Sequence, residues 1–377
     1  MGDIAAKSAK HLGASSSQTF DFEQWLKDLA SKIHINPDFS IVYRDYPLVF
    51  VSEQYQSYLQ QISEEERDRY LTQKLQQYLY SILMKRLKPT VTDEPKVALS
   101  ETKQEEMTNR GDRWYETEFF HQLVQCNHGR GYSEPNWLVT KQVGEYWQVS
   151  RDGLTIYINP KLHLSDPHSK LQVGQTVSIR KPHNLIDRGV YIAVGNAGSV
   201  GDGQCSLDRK VLQLYFNTDS ATALKLLSYF TKELNTLGIP FDFKLAYQEA
   251  NFQYFDAAIL EIMSQDWQRI LPIIKEVYLQ HQSGFSSTIP FFCRQMASGL
   301  GLAEKPFHLS GSAAANLGYR HCGTIAEAII EMLKDRKKSS EKCDNDSCIL
   351  DYLTNRNISL KYPYLNFGSE ESYENLF

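Results

Sequence analysis

Residues 211–280 read VLQLYFNTDSATALKLLSYFTKELNTLGIPFDFKLAYQEANFQYFDAAILEIMSQDWQRILPIIKEVYLQ, and this stretch decides the fold. Val211 to Phe216 predicts a strand. The helix expected over 220–237 stops at Gly238, with Pro240 beyond it. A strand over 241–247 sets Phe241, Phe243, Leu245 and Tyr247 on one face and leaves Asp242 and Lys244 on the other. The segment 257–262 is nearly all apolar and predicts a central strand. Ser264 is expected to cap a helix to about residue 280, bent at Pro272. Strands lead, helices return and hairpins dominate. The fold class is therefore α+β, with a largely antiparallel sheet and packed helices.

Upstream, Trp147 and Val149 alternate before Asp152-Gly153, and Leu154, Ile156 and Ile158 alternate after it, which predicts a hairpin. Val177 with Ile179 and the run 190–194 predict further strands, and a helix over 112–125 carries Trp114, Tyr115, Phe119 and Phe120. Residues 88–110 hold two prolines and many charges without a period and read as a linker. A small helical subdomain is expected over 19–87, with Asp21 capping one helix and Ser63 with Glu66 boxing the next. Residues 1–18 read as disordered. Downstream, Ser298 to Glu304 reads as a glycine-rich loop framing a site, and Thr324 with Glu327 as a capping box for a helix ending near Lys334. The main domain is then 111–335, and 336–377 is a tail.

The chain of 377 residues carries a formal charge of −5, which argues against nucleic acid as partner. No apolar run reaches membrane-spanning length and the amino end lacks a secretory pattern, so neither membrane nor secretion by that route is expected and the cytoplasm is the first reading. The six cysteines (126, 205, 293, 322, 343 and 348) are scattered and read as free thiols. Cys126 with His128, and His321 with Cys322, have no spacing that demands a metal, and no cofactor is expected.

Several segments can carry chemistry, and each has an ordinary structural alternative. Gly195, Gly198, Gly201 and Gly203 resemble a phosphate cradle, yet a strand follows where a helix is needed, so a hairpin loop is the better reading. In NHGRGY (127–132) two glycines flank Arg130; the loop either offers amides and a guanidinium to an anion or is a helix stop with a solvated arginine. Arg180, Lys181, His183 and Arg188 crowd one strand end, as anion ligands or as solvated surface. Lys244, opposite an apolar face, lies on an open sheet face or lines a cleft where it can serve as a base. Asp256 either orients that lysine or caps a turn.

Taken in order, NHGRGY with Trp137, RDGLTIYI, RKPHNL, GVYIAVGNAG, LYFN, LSYFTKELNTLGIPFDFK, YFDAAIL, IPFFCRQMASGLGLAEKP and LGYRHC resemble the HopA-type effector proteins and their bacterial peptide-modifying relatives. The relatives act as lyases in class V lanthipeptide and thioamitide pathways. The resemblance covers roughly 112–335. It implies β-elimination of phosphate from phosphoserine or phosphothreonine in a precursor peptide, phosphorylated first by a partner kinase, with a cyclase or another enzyme using the product. By the same resemblance Lys244 is the strand lysine and base, and Arg130, Lys181 and Arg294 hold phosphate. Tyr191 and Asp256 match family segments without an assigned role, and His183 is a plausible acid on chemistry alone. Arg188, Arg320 and His321 complete the candidate ligands.

The chain departs from that pattern at His321 and Gln213, where relatives often carry arginine, and at Asn316-Leu317-Gly318, which replaces a serine-phenylalanine-glycine. Each lost charge-assisted hydrogen bond is worth about 1.5–3 kcal/mol. A second reading is therefore a non-catalytic effector or scaffold that binds a kinase, a peptide or a host protein after delivery into host cells. The enzyme requires the cations to converge on one cleft. The binding protein has them point apart and shows an aromatic surface around Trp114 to Phe120.

Overall fold

The computed structural model describes residues 22–44, 46–85, 117–164, 170–187, 189–201, 209–306, 316–338, 345–374 and 376–377. The readings for 1–18 and 88–110, and those for Asp21, Trp114, Tyr115 and Arg188, lie outside these residues.

The helical part begins with α1 (Phe22–Lys32), which buries Phe22, Leu26, Leu29 and Ala30. A short antiparallel hairpin follows, β1 (Ile33–Ile35) with β2 (Ile41–Tyr43). Helices α2 (Glu53–Gln61) and α3 (Glu64–Leu83) come next. The capping box at the start of α3 forms as expected: Glu66 N donates to Ser63 Oγ at 3.3 Å, and Ser63 N donates to Glu66 Oε2 at 3.2 Å. Helix α4 (Glu118–Cys126) starts after Thr117, whose hydroxyl accepts from Phe120 N.

A four-stranded antiparallel sheet is built from β3 (Tyr132–Val143), β4 (Tyr146–Arg151), β5 (Leu154–Ile158) and, after the single turn α5 (Pro160–His163), β6 (Thr176–Lys181). Its strand order is β5-β4-β3-β6. Asp152 and Gly153 sit at φ 50° and 81°, so the expected tight hairpin is there, with both turn residues left-handed. This sheet has its own core of Trp137, Val139, Val149, Ile158, Leu164, Leu171 and Ile179.

The larger sheet contains β7 (Asn184–Asp187), β8 (Val190–Val194), β9 (Val211–Phe216), β10 (Phe241–Ala246), β11 (Ala258–Met263), β12 (Arg294–Ala297) and β13 (Leu300–Glu304), in the order β12-β13-β9-β11-β10-β8-β7. Every pairing is antiparallel. The apolar strand β11 is the middle one, as its sequence predicts. Helices α6 (Ser220–Thr236) and α7 (Trp267–His281) cover one face, over Phe216, Phe243, Leu214, Leu260 and Leu302. The other face packs Tyr215, Ile259 and Ala303 against α1, α3, α8 (Leu317–Lys338) and α9 (Asn345–Asn355). The amino-terminal helices thus share one core with the carboxyl-terminal ones.

Four local readings are corrected. Residues 298–304 form a hairpin turn and strand, because Gly299 takes φ 72° and a Cβ there would lie 2.1 Å from Ser286 O. Thr324 lies inside α8, its hydroxyl donating to Arg320 O, because the buried residues Leu317, Cys322 and Ile325 carry the helix through it. Ser264 opens a 3₁₀ turn, and α7 begins at Trp267. The expected tail is packed: Ile349 and Leu353 are buried in the helical layer, and Leu365, Tyr373 and Leu376 in the sheet core.

Candidate functional site

The register puts Gln213, Glu261 and Asp242 side by side across β9, β11 and β10, on the face away from α6 and α7. Lys244 shares that face two residues along β10, and Lys305 follows β13, its amide donating to Val211 O. Glu261 is fully buried. Its Oε1 accepts from Lys244 Nζ at 2.6 Å and from Gln213 Nε2 at 2.8 Å, while Oε2 accepts from Lys305 Nζ at 2.9 Å. Tyr215 OH donates in turn to Gln213 Oε1 at 3.1 Å. Burial alone would raise the Glu261 pKa, but the charges and hydrogen bonds of the two lysines outweigh it and hold the group at about 2.

Two ammonium groups therefore share one buried carboxylate while their side chains stay 14% and 19% exposed. An anion arriving from solvent meets two lysines held in place by a third group. Asp242 completes the row. Burial and then the charge on Glu261 push its pKa up to about 6, against donation to Oδ2 from Ser199 Oγ at 2.7 Å and Gly201 N at 2.9 Å. Its Oδ1 is buried with no partner.

Asp256 lies two residues before β11, under the helical layer. Its carboxylate accepts from Tyr80 OH at 3.2 Å and has Lys85 Nζ at 3.9 Å, so it is turned to α3. Asn316 Nδ2 donates to Tyr80 OH at 2.6 Å. Burial raises the pKa of Asp256, opposed by Lys85 and Tyr80, and raises that of Tyr215, with Cys293, Tyr80, Glu261 and Asp256 close enough to add to the effect.

The other candidate residues are dispersed. Arg294 is opposite Leu302 on β13, so strand parity aims it at the α6–α7 face, where it pairs with Glu371. Lys181 and Arg151 flank the buried Glu134 at 3.0 and 2.9 Å, and both lie over the Trp137 ring. Tyr191 is buried on the α6–α7 face, its hydroxyl accepting from Asn127 Nδ2. His183 uses its carbonyl to accept from Val194 N and Asn127 Nδ2. Arg320 is exposed on α8. His321 is buried, with Nε2 hydrogen-bonded to Pro363 O, and burial lowers its pKa to about 4. In NHGRGY the amides of His128, Gly129 and Arg130 are already engaged by Thr231 Oγ1, Asn127 Oδ1 and Asn196 Oδ1, as a structural turn requires. Gly195 and Gly198 close an antiparallel bridge. The convergence of guanidinium groups on Lys244 is thus not what parity delivers, and its companion cation is Lys305.

Sequence reading passed over Glu261 and Lys305. The signal for Glu261 was a lone carboxylate inside AILEIM, a strand too apolar to have a solvated face; a charge there needs a partner. Nothing in the sequence near Lys305 marks it.

Residues 181–365, which contain Gln213, Asp242, Lys244, Glu261 and Lys305, match the family described as the HopA1 effector protein family. That segment belongs to the HopA1 effector family. No curated protein matches the chain. Among solved structures, the effector protein from Pseudomonas syringae pv. syringae strain 61 aligns with a TM-score of 0.41 and 15% identity, over 84% of this chain and 98% of that one. The effector protein from Pseudomonas syringae pv. tomato strain DC3000 aligns with a TM-score of 0.35 and 14% identity, over 68% and 82%. Among the described residues Cys126, Cys293 and Cys322 are free thiols, no group of three His, Cys, Asp or Glu side chains is placed to hold a metal, and no helix is long and apolar enough to cross a membrane.

Proposed function

We propose that this HopA1-type chain is a phosphoserine/phosphothreonine lyase acting on a peptide, with Lys244 as the base and Lys305 as the cation that receives the phosphate. The observation that carries the reading is the pair of partly exposed lysines anchored on the buried Glu261. In the reaction Lys244, once its ammonium has given up a proton to solvent, takes the proton from Cα. The C–H electron pair becomes the Cα=Cβ bond, and the Cβ–O bond breaks with its pair going to the departing phosphate. Lys305 offsets the charge that grows on the phosphate oxygens. Glu261 sets the position of both amines and does not touch substrate. A partner kinase would supply the phosphopeptide and a thiol-adding enzyme would consume the alkene. His183, Arg130, Lys181, Arg294 and Arg320 do not enter this scheme.

The test is incubation with a phosphothreonine peptide, followed by mass measurement for loss of the elements of phosphoric acid. The wild type should release phosphate. Lys244→Ala should lose about a hundredfold or more in rate, the lower range for removing a proton-transfer group, and Lys305→Ala should raise KM more than it lowers kcat. Intact wild-type peptide after long incubation overturns the reading.

A second reading is a binding protein of the effector kind, and the dispersal of Arg294 and Lys181 into separate ion pairs favours it. It expects no mass loss, and a complex with a kinase, peptide or host protein that survives Lys244→Ala.

A further inference from the structure

We infer that β5 is a docking edge for an extended acidic peptide, which adds as a further strand to the small sheet. The four-stranded unit has a core of its own, separate from the two cores of the larger body. Within it β5 is an edge strand, and among the described residues nothing pairs with its outer side. Edge strands are normally guarded by charge, proline, a bulge or a cover, since unpaired amides and carbonyls template further pairing.

Among the described residues, the other edges of the two larger sheets follow that rule. On the large sheet β12 carries Arg294 and a bulge between Gln295 and Ala297, and β7 has four residues and ends at Asp187. On the small sheet β6 is bridged on its outer side, Ile179 to Leu164. By contrast β5 reads LTIYI: five residues, no charge, no proline, regular register along its whole length against β4. Its side chains do not shield it either, since Leu154 is 56% and Tyr157 60% exposed. Regular geometry, β-branched composition and exposed apolar side chains are what strand addition uses, main-chain hydrogen bonds giving affinity and alternate side chains giving fit.

Charge selects the occupant. Residues 132–181 hold six basic side chains, Lys141, Arg151, Lys161, Lys170, Arg180 and Lys181, against four acidic ones, Glu134, Glu145, Asp152 and Asp166, in a chain whose formal charge is −5. Glu134 is buried between Arg151 and Lys181, so that cluster keeps one positive charge and the unit as a whole an excess of two. A second copy of the chain would bring its own cations to meet these. An acidic extended peptide brings complementary charge, and it holds whether or not Lys244 is catalytic.

The experiment uses the full chain and a short fluorescent peptide of alternating threonine or valine with glutamate, followed by anisotropy. A matched peptide with lysine for glutamate is the control. The acidic peptide should bind saturably and the basic one at least about tenfold more weakly, a difference of about 1.4 kcal/mol. Tyr157→Glu, on an exposed side chain, and Thr155→Pro, which removes a strand amide, should each weaken binding about tenfold, with thermal unfolding of each variant compared with wild type to show that it is folded. Lys244→Ala should leave binding unchanged, which separates this site from the lyase reading. Absence of saturable binding, equal binding of the basic peptide, undiminished binding by both folded β5 variants, or a concentration-dependent dimer broken by Tyr157→Glu would each overturn the assignment.

Discussion

A fully buried carboxylate with two cationic partners is a constraint before it is a reagent. Glu261 has exchanged water for Lys244, Lys305 and Gln213, and its low pKa expresses how strongly those partners favour the ionised form. Glu261→Gln keeps the shape and removes the negative charge that Lys244 and Lys305 share. Breaking a buried pair costs about 3 kcal/mol or more. Urea unfolding of this variant should show that loss, and a change below about 1 kcal/mol would mean that water already screens the pair.

Asp242 runs the other way. Its folded pKa, about 6, lies above the unfolded 3.8, so the unfolded chain ionises first as pH rises. Stability from this group therefore falls between about pH 4 and 6, and above 6 a constant cost remains. Asp242→Asn mimics the protonated form. It should raise the melting temperature at pH 7.5 and leave it unchanged near pH 4; an equal shift at both would assign the effect to packing rather than to charge.

At the scale of elements, sequence reading succeeded where one local signal controls the outcome. Ser63 with Glu66, Asp152-Gly153, Gly238 and the alternation Phe241–Phe243–Leu245 each act over a few residues, and each appears as read. It failed where a local signal met a stronger tertiary one. Thr324 and Glu327 have capping-box spacing, but α8 is already helical from Leu317, buried against α3. Gly299 and Gly301 suggested a loop, yet they do two different tasks within a hairpin. Gly299 turns the chain, and Gly301 makes room for Cys293, whose Cβ would lie 2.9 Å from an added methyl.

The candidate site was half legible for the same reason. Parity along β10 exposed Lys244, whereas the partner of Lys244 depends on which strand lies next to β10, and strand order is not written in any one segment. The hairpin supplies an element-scale prediction. Gly299→Ala needs both φ 72° and a clash with Ser286 O, so it should cost more than the ordinary ~1 kcal/mol for alanine at a left-handed position. Amide exchange should be faster through β12 and β13 with β10–β11 protection retained. A uniform increase across the sheet would show instead that the hairpin opens only with the whole.

At the scale of the molecule, the two ends of the chain meet on the sheet. The amino-terminal α1 and α3 share the helical layer with α8 and α9, and the residues after α9 cross to the opposite face. What fixes that crossing is Glu304, fully buried at the end of β13, one residue before the site cation Lys305. Its carboxylate accepts from Asn366 N at 2.8 Å, Ser369 Oγ at 2.6 Å and Tyr373 OH at 2.7 Å, with Lys210 Nζ more distant at 3.9 Å. Hydrogen bonds to a charged acceptor are worth about 1.5–3 kcal/mol each. Tyr373→Phe and Ser369→Ala should therefore each cost about that much. Both donors serve one carboxylate, so their effects should not add: with both gone, Glu304 loses most of its solvation, and the double variant should cost more than the sum. Glu304→Met in that double-variant background should recover stability, since the buried charge that has lost two of its donors is then gone. Additive losses with no recovery would mean that apolar packing of Leu365 and Leu376, rather than the buried carboxylate, holds the carboxyl-terminal segment across the sheet.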